Sequence, residues 1–599
     1  MKRKSTLSQR SNRHDRSGFT GPILILAAAG IAVWPLLIKG ASCGPDFSFH
    51  FVSWIDAQRS FLAGNLYPHW ANGPNFGAGE PRFVFYPPLT WMAGAVLGLI
   101  FPWSAVPIIL IYLLLAATGL ANRALAQKML GSGPATLAGC ASIYIGNMLV
   151  DSCMRSDYAE LAGGFWIPLL LLSQLNMKFT SDSPKRILAA AAPLALVFAG
   201  IWLTNGPLGI MASYLLAGIA VSSAALRKSW VPVIQAALAA LIGGAVGSLY
   251  LIPAVWERNW ASIGLALHEP AYMVENNWLF SHRNDPGWSR NAMMLDIHSW
   301  LAVLMFIACV LSLWVARKRC ALKIEPAAWI PLALIPFMVF LMQFPVSEPM
   351  WRWFPVLRYL QFPWRWLILM NSPLAIFFAA AIWRGPVRHI ALTAAACVLA
   401  FVIVTTAVWG ICAQNCHDAI AAIPVAVRTA GIRGKPEYAP PGIGHALLEP
   451  DTIGNCVVRS LDSSPAKTVS GRLCDSTVSQ LLNQPEHKVF VGSSDHPGFM
   501  ILHLRSYPAW RVKANGHIIE PSREEGYGLM AVPISSGQTM VEVTWTTTID
   551  VWTGRVLSAL ALALLALTRL VLVESRTTPP PKLNEREQAA FIEKERPSP

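Results

Sequence analysis

The sequence predicts a polytopic α-helical membrane protein of about 12 transmembrane helices, with a small extracytoplasmic β-sandwich domain before the last span. Three observations predict it. Of the 599 residues, 54% are hydrophobic and only 13% are charged, and the mean hydropathy is +0.44. Apolar runs recur that are long enough for a hydrocarbon core of about 30 Å, which takes about 20 helical residues. After position 486 the pattern changes to short β-type runs separated by turn residues.

The elements follow in order. Met1–Arg16 carries Lys2, Arg3, Lys4, Arg10, Arg13 and Arg16 against one acid, Asp15, and Phe19–Ile38 follows without a charge. A cleaved signal peptide has a shorter apolar core and a small-residue cleavage site. Residues 1–18 therefore read as a cytoplasmic basic N-terminus ahead of a retained first span. Candidate spans are 19–38, 104–121, 133–149, 161–176, 187–203, 207–225, 231–250, 299–316, 327–344, 366–382, 388–411 and 551–573. This arrangement puts Arg123/Lys128, Lys178/Lys185/Arg186, Arg227/Lys228, Arg317/Lys318/Arg319/Lys323 and Arg384/Arg388 in the cytoplasm, as the positive-inside rule asks. The net charge of +14 is then explained by basic cytoplasmic loops, without nucleic acid. Parity also requires that the apolar stretch 87–101, which opens with Pro87-Pro88, lies along the outer surface without crossing.

A membrane domain over 19–411 thus carries outer loops 39–103, 150–160, 251–298 and 345–365. The β-rich segment 412–550, the last span 551–573 and a charged cytoplasmic tail 574–599, expected to be disordered, complete the chain. The β-type runs are Lys488–Gly492, Phe499–Arg505, Arg511–Ala514, His517–Glu520, Leu529–Ile534 and Thr539–Trp545. Asn515-Gly516 between two of them is a two-residue hairpin signal. The segment reads first as a lid or packing module, and alternatively as a carbohydrate-contacting one. Cys412, Cys416, Cys456 and Cys474 lie on the outer side, where disulfides persist. Cys456–Cys474 is the preferred pair, although spacing alone does not fix connectivity.

Apart from Lys39, the four outer loops contain no Lys, but they contain Arg59, Arg82, Arg155, Arg258, Arg283, Arg290, Arg352, Arg358 and Arg365. Guanidinium groups hold phosphate oxygens in a two-pronged way that ammonium groups do not. The bland reading is that each Arg reaches for lipid headgroups or pairs with an acid; as a set they point to a phosphate-handling face. Three constellations stand out. Asp46 and His50 share a helical face and precede Tyr67, Glu80, Arg82 and Tyr86. Arg155, Asp157, Tyr158 and Glu160 crowd between two spans. Arg358, Gln361, Trp364 and Arg365 sit among further aromatics that can stack on a sugar, or simply form the interfacial belt. Asp46 alone also reads as a helix N-cap.

The stretches GPDFSFH…GNLYPHW…GAGEPRFVFYPPL, MRSDYAE and LRYLQFPWRW resemble bacterial membrane proteins labelled pyruvoyl-tetrahydropterin synthase-related, and more broadly YfhO-like proteins of the GT-C glycosyltransferase superfamily. YPAWRVKANGHII…VEVTW resembles the β-domain such proteins carry before a last span. The resemblance covers most of the chain. It implies a GT-C-like fold in the bacterial inner membrane, with both termini cytoplasmic and an extracytoplasmic active face. It also implies transfer of a sugar from a polyprenyl-phosphate carrier to an envelope glycan, lipid or protein. The acid of the first outer loop is matched by Asp46, and the Arg and acids of the second by Arg155, Asp157 and Glu160. The chain departs from the pattern at Asn205, where related chains tend to have His.

The expected site is then Asp46 and His50 as catalytic residues. Arg82, Arg155, Asp157, Glu160, Arg358, Gln361 and Arg365 handle the phosphate, and Tyr67, Glu80, Tyr86 and Trp364 contact sugar or acceptor. His50 or Glu80 can orient the acceptor or hold a divalent metal (Mg or Mn). Two other classes compete. A transporter or flippase of lipid-linked sugars predicts polar groups deep in the spans and broken helices in paired halves. A non-catalytic envelope assembly factor predicts acids that can be neutralised without effect. The chain contains no phosphate-cradling G-x-x-x-x-G-K-[ST], no H-E-x-x-H and no G-x-S-x-G motif.

Overall fold

Among the described residues, seven helices are long and apolar enough to cross a membrane: Thr20–Lys39, Val106–Gln127, Ile187–Thr204, Gly206–Arg227, Ala292–Lys318, Pro363–Ile382 and Ile549–Thr568. Three further pairs are bent, by 48° between Ser132–Tyr144 and Asn147–Arg155, by 75° between Val231–Val246 and Ser248–Asn259, and by 105° between Pro326–Leu341 and Pro345–Trp353. Counting each pair once gives up to ten candidate spans among the described residues. The chain is a multi-pass membrane protein. The computed structural model describes residues 5–177, 184–268, 270–281, 289–319, 321–322, 325–383, 416–443, 448–449, 454–459 and 474–577.

Two of the expected spans remain. Residues 161–176 form Gly163–Asn176, a helix of 14 residues, about 21 Å at 1.5 Å per residue and shorter than a hydrocarbon core. Residues 388–411 and the tail beyond 577 lie outside the described residues. The breaks fall where helix geometry is easily interrupted, at Gly146, at Gly247 and just before Pro345. The stretch 87–101 forms Pro88–Ile100, a 13-residue helix with Pro at its first position, about 20 Å long. It crosses Phe47–Leu62 closely enough that a side chain at Gly94 would meet the Trp54 indole.

Among its described residues, the segment before the last helix holds ten strands. They are β1 (Cys456–Arg459), β2 (Ser476–Thr477), β3 (Ser479–Gln484), β4 (His487–Ser494), β5 (Gly498–Arg505), β6 (Trp510–Ala514), β7 (His517–Ile519), β8 (Ser522–Arg523), β9 (Leu529–Ile534) and β10 (Gly537–Trp545). They form two antiparallel five-stranded sheets, ordered β2-β1-β5-β9-β8 and β3-β4-β10-β6-β7. Val457, Met500, Leu502, Met530 and Val532 from one sheet share a core with Phe490, Trp510, Val512, Val541 and Val543 from the other. Asn515 and Gly516 turn β6 into β7 with φ of 48° and 86°, the left-handed pair that a tight two-residue hairpin needs. Cys456 and Cys474 are disulfide-bonded, and Cys43 in the first long loop is disulfide-bonded too.

The sheets are gripped by the first long loop. Trp70 is fully buried in the sheet core, with its ring centroid 5.2 Å from Trp510 and 5.8 Å from Trp545. The His69 N–H donates to Glu486 Oε1 at 2.9 Å, and Lys488 Nζ donates to Asn72 Oδ1 at 2.8 Å. Removing an aromatic anchor of this size leaves a cavity worth about 3–5 kcal/mol. Trp70→Ala is therefore expected to lower the unfolding temperature and to expose residues 69–75 to rapid limited proteolysis.

Candidate functional site

Gly44-Pro45-Asp46 docks the first long loop onto the second. The Gly44 N–H donates to Ser156 Oγ at 3.0 Å, and the Asp46 N–H donates to the Arg155 carbonyl at 3.2 Å. A Cβ at Gly44 would collide with the main chain of Met154 and Arg155, so only glycine permits this approach. Gly44→Ala is expected to cost about 1–3 kcal/mol through overpacking, read as a lower unfolding temperature.

That docking brings four carboxylates around one guanidinium. Arg155 Nη1 lies 2.9 Å from Asp151 Oδ1 and 2.9 Å from Glu160 Oε2, and Nη2 lies 2.9 Å from Asp157 Oδ2 and 3.4 Å from Asp46 Oδ2. Asp151, Asp157 and Glu160 have side chains 0%, 7% and 1% exposed, whereas that of Asp46 is 42% exposed. Asp46 occupies the N-cap of Phe47–Leu62 but makes no side-chain cap bond. One turn on, the buried His50 places Nε2 3.5 Å from Asp157 Oδ1, with its ring edge-on to Tyr158 and Tyr86 at 5.4 and 5.8 Å. Asp157 also caps the short helix after it, accepting from the Glu160 N–H at 3.0 Å. Burial pushes the Asp157 carboxyl up, but His50, Arg155 and Arg365 outweigh it and hold it well below the usual carboxylate range. Glu160 is pushed the other way by burial, which Arg155 only partly offsets.

Asp46 and Arg155 open onto a cavity of about 390 Å³ that is also lined by Trp364, Arg365, Lys435 and Glu437. Arg365 donates to the Leu360 carbonyl at 3.0 Å and places Nε 3.3 Å from Glu160 Oε2, while its Cζ lies 5.2 Å from the Phe362 ring centroid. Trp364 stacks on Phe362 at 4.4 Å and on His298 at 4.9 Å. Lys435 anchors its segment through its N–H to Glu80 Oε2 at 3.1 Å. A second cleft, apolar and about 310 Å³, lies between Gly206–Arg227 and Pro326–Leu341; Met338, Leu357, Trp366 and Leu369 line it. The motif at 361–366 therefore faces both spaces, Arg365 the polar one and Trp366 the apolar one.

The structure places the other expected residues elsewhere. Glu80 and Arg82 are buried and bonded to each other, with Arg82 Nη2 2.7 Å from Glu80 Oε1; Asn75 takes Glu80 Oε2 at 3.2 Å. They brace the first loop and do not face the cavity. Arg358 is half-exposed and pairs with Glu275 at 2.8 Å, so it is not among the cavity's cations. Gln361, held at a φ of 64°, donates to the Ala266 carbonyl at 2.9 Å, tying its segment to the 251–281 loop. Tyr67 packs between His69 and Trp91. Tyr86 borders the carboxylate cluster, stacked edge-on to Phe49 at 4.8 Å. Arg155, expected to clamp phosphate, has both terminal nitrogens engaged by carboxylates. Asn205 caps the following helix by accepting from the Leu208 N–H at 2.8 Å, a task that needs no histidine. Among the described residues, no three His, Cys, Asp or Glu side chains are grouped to hold a metal ion. Glu80 is taken by Arg82 and His50 by Asp157, so neither offers the free donor set that Mg or Mn would need.

Lys435 and Glu437 were not expected, because they belong to the segment read as a lid. The signal was their proximity in sequence to Tyr438, which packs on Phe49 and Phe85. Only the fold reveals that packing.

No protein-family model and no curated protein matches the chain. Among solved structures it is similar to the archaeal oligosaccharyltransferase AglB from Archaeoglobus fulgidus, in complex with an inhibitory peptide and a dolichol-phosphate. That similarity is at 12% identity and a TM-score of 0.40, covering 70% of this chain and 56% of that one. The apo form of the Archaeoglobus fulgidus oligosaccharyltransferase gives 12% identity and a TM-score of 0.37, over 68% and 56% of the two chains. ArnT from Cupriavidus metallidurans, bound to undecaprenyl phosphate, gives 13% and 0.30, over 60% and 76%. These are distant structural likenesses to GT-C membrane glycosyltransferases, and the chain spans little more than half the length of the oligosaccharyltransferase.

Proposed function

We propose that the chain is a bacterial membrane glycosyltransferase that moves a sugar from a polyprenyl-phosphate donor to an envelope acceptor on the extracytoplasmic side. One juxtaposition carries the reading. A polar cavity holding the half-exposed Asp46 carboxylate and three cations, Arg155, Arg365 and Lys435, adjoins an apolar cleft, and a single segment, Leu357–Leu369, lines both. The cleft suits an isoprenoid tail and the cavity suits the phosphate and sugar.

In this mechanism the acceptor hydroxyl gives its proton to Asp46 while its oxygen bonds to the anomeric carbon. The bond from that carbon to the phosphate oxygen breaks, its electron pair leaves with the phosphate, and a single displacement inverts the centre. Arg365 and Lys435 face the cavity and neutralise the charge growing on the leaving phosphate, where fixed cations act most strongly. Glu437 is positioned to accept a hydrogen bond from the acceptor, and Trp364 offers a sugar-stacking ring. Arg155 positions Asp46, with Asp157 and His50 behind it.

The three bent helix pairs favour a transporter to one degree, since transporters use broken helices. The charged groups cluster at the cavity, however, which supports chemistry there over passage through the spans. Mass spectrometry of lipid-linked sugars and envelope glycans in cells lacking the protein tests the proposal. Accumulation of a polyprenyl-phosphate sugar with loss of one glycan residue is the expected result. An unchanged profile overturns it.

A further inference from the structure

Gln361 stands between the short helix Leu357–Leu360 and the residues Phe362, Trp364 and Arg365 that line the cavity. Its backbone has φ of 64° and ψ of −51°, and the Phe362 N–H donates to the Leu360 carbonyl at 2.6 Å. That is a γ-turn of the rare, strained hand. Glycine would take it without steric cost, but here a glutamine does. Strain of this kind persists only where the surroundings impose it. The side chain supplies that constraint. Gln361 Nε2 donates to the Ala266 carbonyl at 2.9 Å, and Gln361 Oε1 accepts from Arg365 Nη1 at 3.5 Å. The same Nη1 donates to the Leu360 carbonyl at 3.0 Å, so one carbonyl serves both the turn and the arginine. Ala266 and Tyr272, from a separate segment, line the same cavity.

We propose, on the reading of the cavity as a phosphate site, that Gln361 is the positioning residue that aims the Arg365 guanidinium at the phosphate. Arg365 is held at two of its three nitrogens. Leu360 and Gln361 hold Nη1, and Nε faces Glu160 Oε2 at 3.3 Å. Among the described residues no acceptor takes Nη2. A long side chain left to itself loses rotamer freedom when it grips a ligand. Here that freedom is already lost, and Nη2 is left for an anion. The Gln361 amide also bonds the opposing segment at Ala266, so the cation and that wall share one anchor.

The test treats the full chain in detergent with phenylglyoxal, which modifies arginine. Labelling of Arg365 and Arg358 is followed by peptide mass spectrometry in the native chain, Gln361→Met and Gln361→Gly. Calorimetry measures binding of farnesyl phosphate, a short prenyl phosphate, to the same three proteins. Both variants should label Arg365 severalfold faster, with Arg358 unchanged. Both should bind farnesyl phosphate about tenfold more weakly, the loss of one fixed contact to a charged group. Gln361→Gly, relieved of the strained turn, should unfold at or above the temperature of Gln361→Met. If Gln361→Gly does not fold, Gln361→Met decides. Native labelling of Arg365 in a folded variant overturns the proposal, even where the unfolding temperature has dropped, and leaves Gln361 a merely structural residue. A native chain that binds no farnesyl phosphate overturns the phosphate reading of the cavity instead, and the labelling still decides whether Gln361 fixes Arg365.

Discussion

Asp46→Asn is expected to lower sugar transfer by about 10²–10⁴-fold, the usual contribution of a positioned general base, while the protein accumulates normally. The two halves of that expectation have separate grounds. Asp46 is the one member of the carboxylate ring that solvent reaches, at 42% side-chain exposure, and its contact with Arg155 is the longest of the four, at 3.4 Å. A pair that exposed contributes about 0–1 kcal/mol, and Asn keeps the shape and the capping capacity of Asp. What Asn cannot do is take up a proton from an attacking hydroxyl. Lipid-linked sugar turnover in membranes, measured beside the unfolding temperature of the purified variant, checks both. Turnover at the native level would remove Asp46 from the role of base.

Arg155→Met has the largest expected effect on stability. It leaves Asp151, Asp157 and Glu160 facing one another with side chains 0%, 7% and 1% exposed. Breaking a buried charge network from one side costs about 3–5 kcal/mol, because Asp151 is left without a cation and Glu160 and Asp157 keep only Arg365 and His50. The variant should accumulate poorly and unfold at lower temperature. The deficit should shrink on acidification. Once the guanidinium is gone, protonating the acids removes their mutual repulsion, so the gap to the native chain narrows as pH falls from 8 toward 5. Arg155→Lys should be intermediate, since one ammonium cannot reach four carboxylates in the planar two-sided way a guanidinium does. Equal stability of the Met variant and the native chain would mean the ring is already neutral.

Much of the frame was legible because its signals are local. Apolar length marks spans, Asn515-Gly516 marks a hairpin, and the six expected β-type runs each fall on a strand. The short strands β1, β2, β3 and β8 were not legible, because their pairing partners and not their composition make them strands. The site was half legible. Asp46, His50, Arg155, Asp157 and Glu160 converge, and each is an ionisable residue beside a span, which is costly without a purpose. Of the four arginines expected to handle phosphate, Arg82, Arg155 and Arg358 are matched by carboxylates in the fold. Charge type is visible in a sequence, but whether a guanidinium is already matched by a carboxylate is not. Arg82 is matched by Glu80 two residues away and Arg358 by Glu275, 83 positions upstream. Lys435 was missed for the converse reason: it reaches the cavity only because its own N–H is held by Glu80, 355 positions earlier.

The grip between the first loop and the sheet domain also sets an order of assembly. Trp70, His69 and Asn72 leave the ribosome early, yet their partners Trp510, Glu486 and Lys488 come more than 400 residues later. Closing so long a chain segment is entropically slow, though not prohibitive. During synthesis the first loop therefore waits with its apolar Trp70 uncovered, a state that favours holding by a chaperone. The Lys435 wall of the cavity also comes from the later part of the chain, held by Glu80 of the first loop.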